Sequence, residues 1–208
     1  MVDGPILTCG VDTVPCDRCV TDGTSGFTVW LTGLPAAGKS TLAALLVESL
    51  RARSFPTQLV DGDALRNGVS SDLDYSLAGR AEAVRRAGAM ALDLARAGSV
   101  AVVAMVSPIA KNRNDVRRNH ELEDLGMVEI WISTPLEVCE RRDPKGLYRR
   151  ARLGTVRNMT GIDSPYEPPT NADLALSLVH PTPGDALNQV LGLIESVTSS
   201  DTDDPPNL

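Results

Sequence analysis

The sequence predicts a three-layer α/β sandwich, with a mostly parallel five-stranded sheet covered by helices on both faces. Two observations carry that expectation. Short apolar, β-rich runs alternate with helical patterns along the chain, the signature of repeated βαβ units. The most apolar run, VAVVAMV at 100–106, suits a central parallel strand buried from both sides.

The elements follow in order. FTVWL (27–31) reads as a buried strand. The helix from Lys39 to about Arg53 places Leu42, Leu45, Leu46 and Leu50 on one face. TQLVDGD (57–63) reads as a second strand ending in two aspartates. A long helix runs from about Ser76 to Ala97, where Gly98 stops it. VAVVAMV and VEIWIS (128–133) are the third and fourth strands. Thr134-Pro135-Leu136-Glu137 reads as a capping box with proline at the first helical position. LALSLV (174–179) is the fifth strand, and Thr182-Pro183-Gly184-Asp185 opens a last helix carrying Leu187, Val190, Leu191 and Ile194. Residues 143–170 are rich in Gly, Pro and Arg without a clear core face, and a connection of that length reads as a working lid. The domain is thus expected over 26–198, between a cysteine-containing arm (1–25) and an acidic tail (199–208).

The totals narrow the function. A chain of 208 residues is large enough for one domain with a substantial core. Aromatics make up 3%, so the core rests on Ala, Leu and Val. A net charge of −7 argues against a nucleic-acid-binding surface. No apolar run reaches the roughly 18 residues of a membrane span, and MVDGPILTCG lacks the pattern of a signal peptide. A cytoplasmic protein is expected. Cys9, Cys16 and Cys19 lie close together, with Cys139 far away in a helix, so free thiols on an arm are favoured over a metal site.

The chemistry centres on LTGLPAAGKSTLA (31–43). Gly33 to Ser40 match G-x-x-x-x-G-K-[ST], after a strand and opening a helix, as in P-loop NTPases. Backbone N–H groups of Gly33, Ala36, Ala37, Gly38 and Thr41 are expected to surround the phosphates of ATP. Lys39 reaches the β- and γ-phosphates, and Ser40 ligates Mg²⁺. Asp61-Gly62-Asp63 sits at the carboxyl end of the second strand, which faces the ligand crevice. There a carboxylate accepts the proton of an attacking hydroxyl, unless Asp63 merely caps a helix. Arg66, Arg80, Arg85 and Arg86 follow, and Lys145, Arg149, Arg150, Arg152 and Arg157 crowd the lid. In an acidic chain this clustering points to an anionic acceptor, with Arg85, Arg150 and Arg152 read as a solvated face.

WLTGLPAAGKST, VDGDALRNGVSSDLDYSLAGRAEAVRR, VVAMVSP, TPLEVCERRDPKGLYRRA and TGIDSPYEPP together resemble the adenylylsulfate (APS) kinase family over about residues 27–175. The resemblance implies transfer of the ATP γ-phosphate to the ribose 3′-hydroxyl of APS, giving PAPS for sulfate assimilation, with Mg²⁺ and in a homodimer. It makes Asp61 the proton acceptor with Asp63 beside it, and Arg66 and Arg80 the phosphosulfate contacts. Lys145, Gly146 and Leu147 resemble the segment lining the acceptor's adenosine. Ser107 matches a serine to which a phosphoenzyme role is ascribed, although direct in-line transfer requires none.

Departures from the family pattern fall on the acceptor side. Tyr75 stands where a stacking Phe is usual, and Ala83 where an Asn contacts the acceptor. Met159, before Thr160 in MTGI, replaces a second aromatic wall, and Ile109-Ala110 replaces an aromatic and an Arg. These changes leave open a related kinase with a different anionic nucleotide or hydroxyl acceptor. A non-catalytic nucleotide-binding protein is disfavoured by the intact Lys39, Ser40 and Asp61.

Overall fold

A computed structural model describes residues 26–179 and 182–200, without the side chains of 198–200. Five strands, β1 (Phe27–Gly33), β2 (Thr57–Asp61), β3 (Val100–Ala104), β4 (Gly126–Ile132) and β5 (Leu174–Leu176), form one sheet in the order β2-β3-β1-β4-β5. Every pairing is parallel, with Val29 opposite both Val102 and Val128. The helices are α1 (Lys39–Ala52), α2 (Gly62–Asn67), α3 (Leu77–Arg96), α4 (Ala110–Glu121), α5 (Leu136–Arg142), α6 (Leu147–Arg152) and α7 (Pro183–Ser200). Because β1 is flanked by β3 and β4, the chain winds outward from it in both directions, which opens a crevice at its carboxyl end.

Strand alternation divides the core. Val29, Leu31, Val100, Val102 and Ile130 face one side, against Leu42, Leu46 and Leu50 of α1 and Val190, Leu191 and Ile194 of α7. Trp30, Val60, Ala101 and Val103 face the other, against Val84, Ala87 and Ala91 of α3 and Val116 of α4. Small residues on α3 allow close approach: a Cβ at Gly88 would lie 2.6 Å from a Val116 methyl. Ser76 caps α3 by accepting from the Gly79 N–H at 3.0 Å. Thr182 and Asp185 cap α7 reciprocally, the Asp185 N–H donating to Thr182 Oγ1 at 3.2 Å and the Thr182 N–H to Asp185 Oδ2 at 3.0 Å.

Several expectations need correction. Strand β2 ends at Asp61 because that carboxylate caps α2, accepting from the backbone N–H groups of Asp63 (2.9 Å) and Ala64 (3.2 Å). The cap is therefore Asp61 and not Asp63. Thr134 does not cap α5: its hydroxyl donates to the Ala37 carbonyl at 2.9 Å and accepts from the Leu178 N–H at 3.2 Å. Residues 143–170 do have a core face, since α6 buries Tyr148 and the following turn buries Met159. Helix α4 was not expected at all. Its sequence, AKNRNDVRRNHE, has one aliphatic residue beyond its first turn and buries Arg113 and His120 beside Val116. Helix α7 runs to Ser200, two residues into the stretch assigned to the tail.

The arm with Cys9, Cys16 and Cys19, and the residues after Ser200, lie outside the described residues. Among the described residues, no cluster of His, Cys, Asp and Glu is built to hold a metal, and no helix is long and apolar enough to cross a membrane.

Candidate active site

At the carboxyl ends of β1, β2 and β3 lies a cleft of about 1120 Å³. Its lining joins α1 and the turn before it to Asp61–Asp63, Arg66, Tyr75, Arg80, residues 104–108, 142–145 and 156–159. The turn between β1 and α1 depends on backbone that side chains disfavour. Ala36 has φ +58 and Gly38, the residue before α1, has φ +115. The helix start is left without a side-chain cap, so its N–H groups remain free for an anion.

Lys39 is buried at the base of this turn, its Nζ donating to the carbonyls of Gly33 (2.9 Å) and Leu34 (2.8 Å). Burial lowers its pKa to about 8; the fields of Cys139, Asp63 and Asp61 oppose that shift. A phosphate would restore the opposite charge that the site lacks. Ser40 Oγ donates to Asp61 Oδ2 at 3.0 Å, which ties the start of α1 to the end of β2. The turn is braced from behind. Ala37 O accepts from Thr134 and, at 3.2 Å, from Arg142, while Tyr148 donates to Pro35 O at 2.9 Å.

The second half of the cleft is cationic. Arg66 lies 4.3 Å from the centre of the Tyr75 ring and Arg80 lies 5.5 Å from it. Arg66 donates to the Asp74 carbonyl at 3.1 Å. Arg80 Nη2 donates to the Asn158 carbonyl at 2.6 Å, joining α3 to the 143–170 segment. Burial, and to a lesser extent the neighbouring Arg66, lowers the pKa of Arg80. Lys145 forms an ion pair with Asp63 across the cleft, and that pair raises the lysine's pKa. Arg150 and Arg157 also line the cleft. Arg150 is exposed, as expected of a solvated face, although it borders the cleft. Arg85 and Arg152 do pair at the surface, with Glu82 and Glu140 at 2.7 and 2.6 Å.

The sequence-selected residues fall into two groups. Ala36, Gly38, Lys39, Ser40, Thr41, Asp61, Asp63, Arg66, Tyr75, Arg80, Lys145, Leu147, Met159 and Ser107 line the cleft, as does Ala83. Gly33, Ala37, Gly146 and Thr160 do not, and neither does Ile109, which precedes α4. Thr160 is fully buried with an unpaired hydroxyl. Tyr75 is 55% exposed and accessible for stacking, whereas Met159 packs into the core beside its cleft-facing surface.

Ser107 is held tightly, with φ +38. Its Oγ accepts from Trp30 Nε1 at 3.1 Å and donates to Thr32 Oγ1 at 2.9 Å. Residues missed from sequence include Arg142, Leu178 and Val179 on the α1 side, and Met105, Val106 and Pro108 on the floor. The RRD run at 141–143 and the end of an apolar strand were the available signals for the first group.

Comparison with known proteins agrees with this geometry. The family model for adenylylsulphate kinase matches residues 25–177. An adenylyl-sulfate kinase of Shewanella sp. (strain MR-7) is 41% identical over 192 residues, covering 92% of this chain and 91% of that protein. One from Synechococcus sp. (strain JA-3-3Ab) is 40% identical over 175 residues, covering 84% of this chain and 97% of its own length. Among solved structures, the Mycobacterium tuberculosis APS kinase CysC in complex with AMPPNP and APS superposes with a TM-score of 0.80 at 42% identity, covering 82% of this chain and 98% of that one. A hexameric APS kinase from Thiobacillus denitrificans gives 0.65 at 31% identity, covering 84% of this chain and 30% of that chain. A family model matching residues 25–177, and relatives about 40% identical over most of this chain and of their own, place the chain in the adenylylsulphate kinase family.

Proposed function

We propose that this chain transfers the γ-phosphoryl group of ATP to the 3′-hydroxyl of APS, giving PAPS and ADP. The observation that carries the reading is one cleft with cations in two places. Lys39 sits at the phosphate turn, Arg66 and Arg80 sit beside Tyr75, and Asp61 lines the same space. A volume of about 1120 Å³ suits two nucleotide-sized ligands, since pockets for one ordinary ligand run roughly 300–1,000 Å³.

In this reading the triphosphate lies along the free N–H groups at the start of α1, with Lys39 on its β- and γ-phosphates. The acceptor's phosphosulfate meets Arg66 and Arg80, and its adenine stacks on Tyr75. Asp61 takes the hydroxyl proton as the oxygen–phosphorus bond forms, the β–γ bridging bond breaks, and ADP leaves with that electron pair. The Ser40 hydroxyl would hold a magnesium ion that enters with the phosphates of ATP. Such an ion neutralises charge building on the β- and γ-phosphates. Residues 143–170 act as the lid, and Ser107 shapes the floor without itself being phosphorylated. Assembly as a homodimer and a cytoplasmic location belong to the same reading; light scattering tests the first.

The test uses APS lacking its 3′-hydroxyl. The analogue should compete with APS and yield no phosphorylated product. Phosphorylation of the analogue would move the reacting hydroxyl elsewhere and overturn the assignment.

A further inference from the structure

Arg113 lies outside the cleft lining, with its side chain only 2% exposed. Three of its contacts run in three directions. Nε donates to Glu129 Oε1 on β4 at 2.7 Å. Nη1 donates to the Ser107 carbonyl at 2.7 Å, and Nη2 to the Glu167 carbonyl at 2.8 Å. The first contact neutralises a buried charge. The other two join the cleft floor to the far end of the 143–170 segment.

That junction is reinforced around the arginine. The Glu167 N–H donates to the Pro108 carbonyl at 2.8 Å, and the Ala110 N–H donates to Glu167 Oε2 at 2.7 Å. Tyr166 shares a hydrogen bond with Thr32 Oγ1 at 3.1 Å, and Arg113 stands 6.0 Å from the centre of the Tyr166 ring. Residues 105–108 and 156–159, which this junction joins through the chain, both line the cleft. The phosphate turn is braced separately, by Thr134, Arg142 and Tyr148.

We propose that Arg113 is a positioning residue for the acceptor: its fork fixes the distance between the 105–108 floor and the foot of the lid, and so sets the width of the acceptor pocket. The inference rests on the proposed APS kinase reading. A lysine at this position keeps the charge facing Glu129 but, as a point donor, does not span three acceptors in fixed directions. Stability and positioning therefore separate between variants.

The experiment compares wild type, Arg113→Lys, and Arg113→Met combined with Glu129→Leu, which removes both buried charges together. Thermal unfolding establishes which variants are folded, and steady-state kinetics then gives KM for APS and for ATP. The expected result is a folded Arg113→Lys enzyme whose KM for APS rises at least tenfold while its KM for ATP stays within twofold. The double variant should match it wherever it folds. Unchanged KM for APS in Arg113→Lys would overturn the proposal, as would an equal rise in both KM values, which marks general loosening. Absence of APS turnover in wild type would instead sink the kinase reading itself.

Discussion

Binding of a nucleotide triphosphate to this protein should take up a proton at alkaline pH, and Lys39 fixes how much. Burial lowers the pKa of this lysine from 10.5 to about 8 in the empty site. That difference, 10.5 − 8 = 2.5, corresponds to about 3 kcal/mol of penalty on the charged form. A phosphate against Nζ removes the penalty and raises the pKa, so the complex binds more protons than the free protein. The sign follows: affinity is level below about pH 8 and falls as pH rises above it, approaching tenfold per unit. The uptake is roughly 0.9 proton at pH 9 and roughly 0.1 at pH 7. Calorimetry with AMPPNP, in two buffers of different ionisation enthalpy, reads this number directly. An uptake near zero at pH 9 would refute the reasoning, because the lysine would then already be charged in the empty site or would not meet the phosphates.

Further outcomes follow from the contacts. Asp61→Asn should preserve the cap on α2, since asparagine caps as well as aspartate. It should lower turnover by roughly 10²–10⁴, the usual range for a lost general base, with nucleotide affinity nearly unchanged in titration. Unaltered turnover would remove Asp61 from that role. Ser107→Ala leaves Trp30 Nε1 without its acceptor in the core; chemical denaturation should show a loss of about 1–3 kcal/mol. Turnover should survive, and loss of a radiolabelled phosphoserine on substitution would contradict the structural role. Gly38→Ala places a Cβ 2.6 Å from Leu178 Cδ1 at φ +115. Strain of about 1–3 kcal/mol should appear as lower stability and weaker AMPPNP binding, measured by thermal shift with and without ligand.

Much of this molecule can be read from local signals. The phosphate turn combines a motif with a strand before it and a helix after it, and both strand and helix have clean apolar faces. Helix α4 is illegible for a physical reason. It packs through Val116 against Gly88 of α3, while its other buried side chains are polar and satisfied by distant partners: Arg113 by Glu129, and His120 by Thr28 at 2.9 Å. Hydropathy cannot register burial achieved by pairing. Asp61 caps α2 through Oδ1 while its Oδ2 accepts from Ser40, and Thr134 gives its hydroxyl to Ala37 in place of α5. Partners distant in the sequence, Ser40 and Ala37, are not visible in the local pattern around either residue. Tyr148 and Met159 escaped notice as core residues because each stands alone among arginines and glycines. The cationic part of the cleft is legible by resemblance more than by pattern, since its cations come from α2, α3 and the 143–170 segment.

The measurement that bears most directly on the account is ADP release from purified protein with Mg·ATP, with and without micromolar APS, with the second product identified by mass. APS-dependent turnover with one PAPS formed per ADP is expected. ADP release that ignores APS, with nucleotide binding intact, would contradict it and direct attention to another anionic acceptor beside Tyr75, Ala83 and Met159.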